Sequence, residues 1–244
     1  GSGLAVGGTS GKSTVTGIAG WMLDCAGLDP CIVNGGRMKN YASKDLPGNA
    51  RPGLSDYVVI ESDESDGSIV KYRPLVSVVT NVTLDHKPMD ELRHLFSQFV
   101  RNTTGTAVLN ADCPVSSSLA GAAKRVLTFG IHRDADVRAE NCRPGAMVSS
   151  FEVDGVPLAI RQPGMHSISN ALAAIAVGRA LGLETGAVKR GIEDFAGIAR
   201  RYDTVGEAAG VTVIDDFGHN PDKIRATLSA LHIESGRRLL VFQP

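Results

Sequence analysis

Residues 6–17, VGGTSGKSTVTG, set a lysine and a run of hydroxyl side chains between an apolar strand-like segment and a helix-like one, with glycines at the turn. Phosphate chemistry asks for this set. Gly7, Gly8 and Gly11 let the backbone turn tightly and face its N–H groups inward, and Lys12 opens a helix whose N-terminus favours anions. Lys12 brings a mobile point charge to the outer phosphates, and Ser13 a hydroxyl oxygen for Mg2+. The loop is the short form Gly-Thr-Ser-Gly-Lys-Ser, because Val6 stands where the full pattern has its first glycine. The candidate nucleotide contacts are Gly8, Thr9, Ser10, Gly11, Lys12, Ser13 and Thr14.

A second signal follows another apolar run. In YVVIESDESDGS the strand-like residues give way at once to Glu61, Asp63, Glu64 and Asp66, and strand carboxyl ends are where α/β sheets bind ligands. Carboxylates so close repel one another unless a cation or solvent relieves them. A solvated loop with helix-capping Asp and Ser residues accounts for any one of them alone. Glu61 stands apart: it directly follows Val58, Val59 and Ile60, so it is expected nearest the sheet and farthest from solvent. A third signal, VVTNVTLDHKPMDEL, delivers Asn81, Asp85 and His86 to the end of a further strand. If the strands carrying Gly7, Glu61 and Asn81 are neighbours, loop, carboxylate and imidazole converge on one crevice. Imidazole is an unusual ligand for Mg2+, so His86 needs a specific mechanistic reason to be there.

The elements that must position these residues alternate. PCIVNGG, SDYVVIES, PLVSVVTNV, TAVLNA and RVLTFG read as buried strands, while KSTVTGIAGWMLDCAG and MDELRHLFSQFVRN carry apolar residues at helical spacing. The class is α/β, a mostly parallel sheet flanked by helices. DVRAEN, MVSSFEVDG and VPLAIRQ predict shorter antiparallel or edge strands, and SISNALAAIAVGRALGL and TGAVKRGIEDFAG two more helices. From about Arg200 the pattern restarts. VTVIDDFG, NPDKIRATLSALH and RLLVFQ predict a strand, a helix and a strand, one β-α-β unit opening a Rossmann-like second domain. The division is therefore 1–199 and 200–244. The first residue is not methionine and RRLLVFQP stops just after a strand-like run, so the chain reads as clipped or processed.

The 244 residues, 43% of them hydrophobic, are enough for a sizeable core, and 25 basic residues nearly cancel 26 acidic ones. No basic stripe predicts a nucleic-acid surface, and no apolar run of about 18 residues predicts a membrane span. Cys25, Cys31, Cys113 and Cys142 lie far apart in sequence, which predicts reduced, buried thiols in a cytoplasm rather than zinc or disulfides. Nothing in the sequence bears on oligomeric state.

GTSGKST, ESDESDGS, TNVTLDH, PGMHSISNALAA, RRYD and VIDDFGHNP follow one another in the order, and at spacings similar to those, of the motifs of the Mur ligases, which the chain resembles over nearly its whole length. The resemblance implies an ATP-dependent ligase of peptidoglycan precursor synthesis, with UDP-sugar and amino-acid substrates. Phosphorylation of a carboxylate on the UDP-sugar is followed by attack of an amine, and ADP and phosphate leave. It implies Lys12 on the outer phosphates, Ser13 and Glu61 on a first Mg2+, and His86 on a second metal, which supplies the missing reason for an imidazole. It places His166 and Asn170 near adenine, with Ser167 where the family has asparagine, Arg201 at the domain junction, and Asp215, Asp216 and His219 at the hinge or ribose side. MDELRHLFSQFVRNTTG has no lysine, in keeping with the branch that adds L-alanine. The alternatives are a paralogue joining a different acid and amine or peptide, and a nucleotide-binding module without ligation.

Overall fold

The computed structural model describes residues 2–44, 46–84, 87–219, 221–231 and 236–242, with the backbone alone at 222. The chain runs β1 (Ser2–Gly7), α1 (Lys12–Cys25), β2 (Cys31–Val33), β3 (Ala50–Arg51), β4 (Tyr57–Glu61), β5 (Val76–Val79), α2 (Met89–Arg101), β6 (Thr106–Asn110), α3 (Pro114–Ser118), β7 (Val126–Gly130) and β8 (Val137–Arg138). Then come β9 (Glu140–Arg143), β10 (Ser149–Val153), β11 (Val156–Ile160), α4 (Gly164–Leu181), α5 (Thr185–Glu193), β12 (Asp203–Ala208), β13 (Val211–Asp215) and α6 (Pro221–Leu231).

Eight strands form one sheet in the order β3-β2-β4-β1-β5-β6-β7-β8, parallel throughout except for β3 against β2. Alternation along each strand sends its side chains to two layers. Leu4 and Val6 of β1 join Val78 and Val108 under α1 and α4, whereas Ala5 joins Val79, Ala107 and Leu109 against Phe96 and Phe99 of α2. The lengthwise character of the helices follows from this burial. α4 carries apolar residues all round and is buried along most of its length, while α2 buries only the stripe Leu92, Phe96, Phe99 and Val100. The antiparallel sheet β9–β11 caps the first layer through Phe151, Val153, Leu158 and Ile160. Its tight hairpin needs Asp154 and Gly155 at φ of 52° and 74°.

The sheet order places β1 between β4 and β5, with Val6 in register with Glu61 and Gly7 with Val79. The three strand ends are therefore flush. Connections leave β1 toward one edge through α1 and β2, and leave β4 toward the other through β5, so the crevice of a switch point opens above the phosphate loop.

Two expectations are corrected. β13 pairs antiparallel with β12, and the described part of the RLLVFQ run, through residue 242, contains no strand, so the restart is a hairpin and a helix rather than a β-α-β unit. Ala209 and Gly210, at φ of 50° and 75°, close the hairpin locally, and a parallel strand needs a more distant partnership than that. Leu239, Leu240 and Val241 remain exposed. The four cysteines are free thiols as expected, but each is only half-buried. Among the described residues no helix is long and apolar enough to cross a membrane.

Candidate functional site

The loop after β1 holds its shape through two glycines and one neighbouring strand. A Cβ at Gly8, where φ is 132°, would fall 1.9 Å from the Thr80 hydroxyl, and one at Gly11, where φ is 87°, 2.5 Å from Oδ1 of Asn170. No other residue type fits either place without displacing a partner. Residues just past β5 then fasten the loop. Thr80 Oγ1 donates to the Ser10 carbonyl at 2.6 Å, Asn81 Oδ1 accepts from the Thr9 hydroxyl at 2.7 Å and from the Ser10 N–H at 3.0 Å, and Asn81 Nδ2 donates back to Ser10 O at 3.2 Å. The Ser10 N–H is thereby committed to the brace. The first intrahelical bond of α1 runs from Val15 N–H to Gly11 O at 2.9 Å, so the N–H groups of Lys12, Ser13 and Thr14 precede the helical ladder and face the loop end as anion donors.

Lys12 reaches Glu64, with Nζ 2.8 Å from Oε2 and the two side chains only 13% and 4% exposed. This corrects the ranking of the acidic cluster: Glu64, not Glu61, is the carboxylate farthest from solvent. The physical reason is that Ser62 N–H extends the ladder by donating to Val6 O at 2.9 Å, after which the chain turns back and buries Glu64 against the lysine. Glu61 stays half-buried at the strand end. Its Oε1 accepts from the Ser13 hydroxyl at 3.1 Å and its Oε2 from the Gly35 N–H at 2.8 Å. Asp63 and Asp66 are turn residues, accepting from the N–H groups of Ser65 and Ser68 at 2.9 and 2.8 Å. Burial pushes the Asp63 carboxyl up, but the Ser65 N–H, the Lys12 charge and the Ser65 hydroxyl together hold it below its ordinary value. The backbone N–H of Ser68 does the same, chiefly, for Asp66.

The phosphate loop and Glu61 line a cavity of about 500 Å³, bounded by Thr9, Ser10, Gly11, Lys12, Ser13, Thr14, Glu61, Asn81 and Thr83 on one side. Gln162, His166, Ser167, Ser169 and Asn170 at the start of α4 form a second wall, and Arg201, Tyr202, Asp216, Lys223 and Thr227 a third. The volume is in the range of small-ligand sites. Gly8 lies behind the lining, against Thr80, and His219 lies outside it, with Nδ1 3.1 Å from Phe217 O and Nε2 3.2 Å from Lys223 Nζ. Asp85 and His86 fall outside the described residues.

Three residues of the other walls have structural tasks that the sequence did not disclose. Ser167 donates its hydroxyl to Pro163 O at 2.6 Å, within its own helix end. Asp216 accepts from Tyr202 N–H at 2.8 Å and Gly218 N–H at 2.7 Å, tying the segment before β12 to the one after β13. Arg201 stacks its guanidinium over Phe217, 5.3 Å from the ring centroid, while Asp215 accepts from Arg200 Nε at 3.2 Å.

The His166 ring lies on the cavity wall and is exposed to the cavity, with protein crowded around its base. Burial lowers its pKa from the ordinary 6.5, and the Asp216 charge acts the other way. A histidine whose folded pKa is depressed binds fewer protons than the unfolded chain, so stability rises with pH across the window between the folded pKa and 6.5 and is lost on acidification through it. His166→Gln is expected to flatten the pH dependence of the denaturation midpoint just below pH 6.5, measured by urea titration. An undiminished slope would contradict the assignment.

The hard oxygens Ser13 Oγ and Glu61 Oε1, 3.1 Å apart on one wall of the cavity, fit a divalent cation of the Mg2+ type. Such an ion takes one or two protein oxygens and fills the rest of its shell with water and phosphate oxygens. Among the described residues no group of three or more His, Cys, Asp or Glu side chains could hold a metal without such help.

A family model described as the Mur ligase middle domain matches residues 6–178, and one described as the Mur ligase glutamate ligase domain matches residues 200–244. UDP-N-acetylmuramate–L-alanine ligases of Jannaschia sp. and Paracoccus denitrificans are each 40% identical to the chain, covering 100% of it and 54% and 55% of their own lengths. The crystal structure of UDP-N-acetylmuramate-alanine ligase MurC from Thermotoga maritima superposes with a TM-score of 0.82 at 28% identity, over 94% of this chain and 54% of that one. The chain thus spans about half the length of the relatives it matches. A parallel sheet with its phosphate loop at the switch point, a family match over most of the sequence and relatives at 40% identity agree: the chain belongs to the Mur ligase family.

Proposed function

We propose that the protein works as an ATP-dependent amide ligase, joining the carboxylate of UDP-N-acetylmuramate to L-alanine in the cytoplasmic assembly of peptidoglycan precursors. The observation that carries the reading is the meeting of Lys12, the Ser13–Glu61 oxygen pair and the α1 N-terminus on one cavity wall. The similarity to alanine-adding ligases supports the choice of acid and amine. In this reading residues 1–199 are the ATP-binding unit, and 200–244 begin the unit that follows it.

Each residue then has a task. Lys12 and the N–H groups of Lys12, Ser13 and Thr14 hold the phosphates of ATP, on a loop shaped by Gly8, Thr9, Ser10 and Gly11. Ser13 and Glu61 offer oxygens to Mg2+, and His86 is the candidate ligand of a second metal. Bound there, Mg2+ supplies charge neutralisation at the phosphates. His166 and Asn170 border adenine; Arg201 meets the nucleotide from the far wall; Asp216 and His219 belong to the ribose and hinge side.

The chemistry needs no protein nucleophile. A carboxylate oxygen of the acid attacks the γ-phosphorus, and the bond to ADP breaks. The alanine nitrogen then attacks the acyl carbon, and phosphate leaves with that carboxylate oxygen. The site's work is positioning and electrostatic stabilisation.

The test is ADP release against a panel of UDP-sugars and amino acids, with UDP-N-acetylmuramate and L-alanine expected to be the productive pair. Oxygen label placed in the acid's carboxylate is expected in the released phosphate. Label confined to the amide would rule out carboxylate phosphorylation. Turnover with another acid or amine would favour a paralogous ligase, and nucleotide binding without ADP release a regulatory module.

A further inference from the structure

We propose that residues 34–36, the Asn-Gly-Gly turn just past β2, are a positioning device that sets Ser13 and Glu61 at the spacing a divalent cation needs. The proposal rests on the nucleotide reading above and assigns a task to a segment that none of the nucleotide motifs includes.

Both proposed oxygen donors are held from this one turn. Asn34, 4% exposed, donates from Nδ2 to the backbone carbonyl of Ser13 at 2.9 Å, which fixes the first turn of α1 relative to β2. The Gly35 N–H donates to Glu61 Oε2 at 2.8 Å, leaving Oε1 directed at the Ser13 hydroxyl. The turn is itself locked, since the Gly36 N–H donates to Asn34 Oδ1 at 2.9 Å and the Asn34 N–H to Asn49 O at 2.8 Å. β2 lies beside β4 in the sheet, Val33 level with Ile60, so the turn that follows β2 begins level with Glu61, the last residue of β4.

The glycines explain themselves on this account. A Cβ at Gly35 would lie 2.8 Å from Glu61 Oε2 and 3.2 Å from its carboxyl carbon, and one at Gly36 would lie 2.4 Å from the Ile198 side chain. Neither φ is in the left-handed region, so the need for glycine at these positions comes from close approach. A side chain at 35 pushes on the carboxylate itself. A backbone N–H also leaves the carboxylate its full negative charge, where a lysine or arginine in the same place would compete with the cation.

The experiment uses Mn2+ as a paramagnetic stand-in, its binding to the protein–ADP complex followed by electron paramagnetic resonance, with ADP affinity in EDTA measured beside it. For Gly35→Ala we expect Mn2+ affinity to fall about tenfold, with metal-free ADP affinity within about twofold of wild type, because Lys12 and the loop hold the phosphates independently. Asn34→Leu, of the same branched shape without the two hydrogen bonds, is expected to behave alike, and it decides the matter by the same criterion if Gly35→Ala does not fold. Unchanged Mn2+ affinity in the folded variants overturns the proposal. So does an equal loss of metal-free ADP binding, which would mark the turn as general packing. Wild-type protein that binds no ADP overturns the nucleotide reading and this proposal together.

Discussion

Replacing Lys12 by methionine is expected to weaken ADP and ATP binding about a hundredfold, close to 2.7 kcal/mol, and to destabilise the fold by about 3 kcal/mol. The first effect is the loss of the mobile cation at the phosphates. The second has a separate cause. Glu64 is 3% exposed and faces Lys12 Nζ at 2.8 Å, so the substitution strands a buried carboxylate without its partner. The double variant Lys12→Met/Glu64→Gln removes the stranded charge. It should regain most of the stability, read as Tm or urea midpoint, and none of the nucleotide affinity, read by calorimetry. Recovery of both together would mean that the lysine acts on nucleotide only through the packing of the loop.

Glu61→Gln separates the other way. The amide that replaces the carboxylate keeps an acceptor for the Gly35 N–H, and the half-buried side chain contributes little to the core, so the Tm is expected within a few degrees of wild type. The charge offered to the cation is gone. On the proposed reaction, turnover in Mg2+ should fall by about 10²–10³, with metal-free ADP affinity retained. Near-normal turnover at saturating Mg2+ would remove Glu61 from the metal site.

Most of the architecture could be read from residue order because its signals are local. Short Val-rich runs between amphipathic helices specify buried parallel strands, and the adjacency of β4, β1 and β5 meets the condition on which Gly7, Glu61 and Asn81 converge. The partnerships were not legible. Glu64 finds Lys12 across 52 positions of sequence, Asn81 finds Ser10 across 71, and Asn34 finds Ser13 across 21. Each is decided by which strand ends lie side by side. Proximity to an apolar run singled out Glu61 as the most buried carboxylate, yet a turn one residue later reversed the order. That residues 236–242 form no strand has a related reason: an apolar run states a preference for burial, and only a neighbouring edge turns that preference into a ladder.

The central place of β1 sets a condition on how the protein can be made. The strand and its loop leave the ribosome before the two strands that flank it, which end at residues 61 and 79, and before the side chains that fasten the loop, those of Thr80 and Asn81. At roughly 5–20 residues per second, the loop is synthesised on the order of 4–14 s before its fastenings exist. During that interval an apolar strand-forming segment lacks both of the strands it pairs with in the fold, so nascent chains stalled between the loop and residue 81 should engage chaperones more than longer ones, and release from them should coincide with completion of the loop's fastenings.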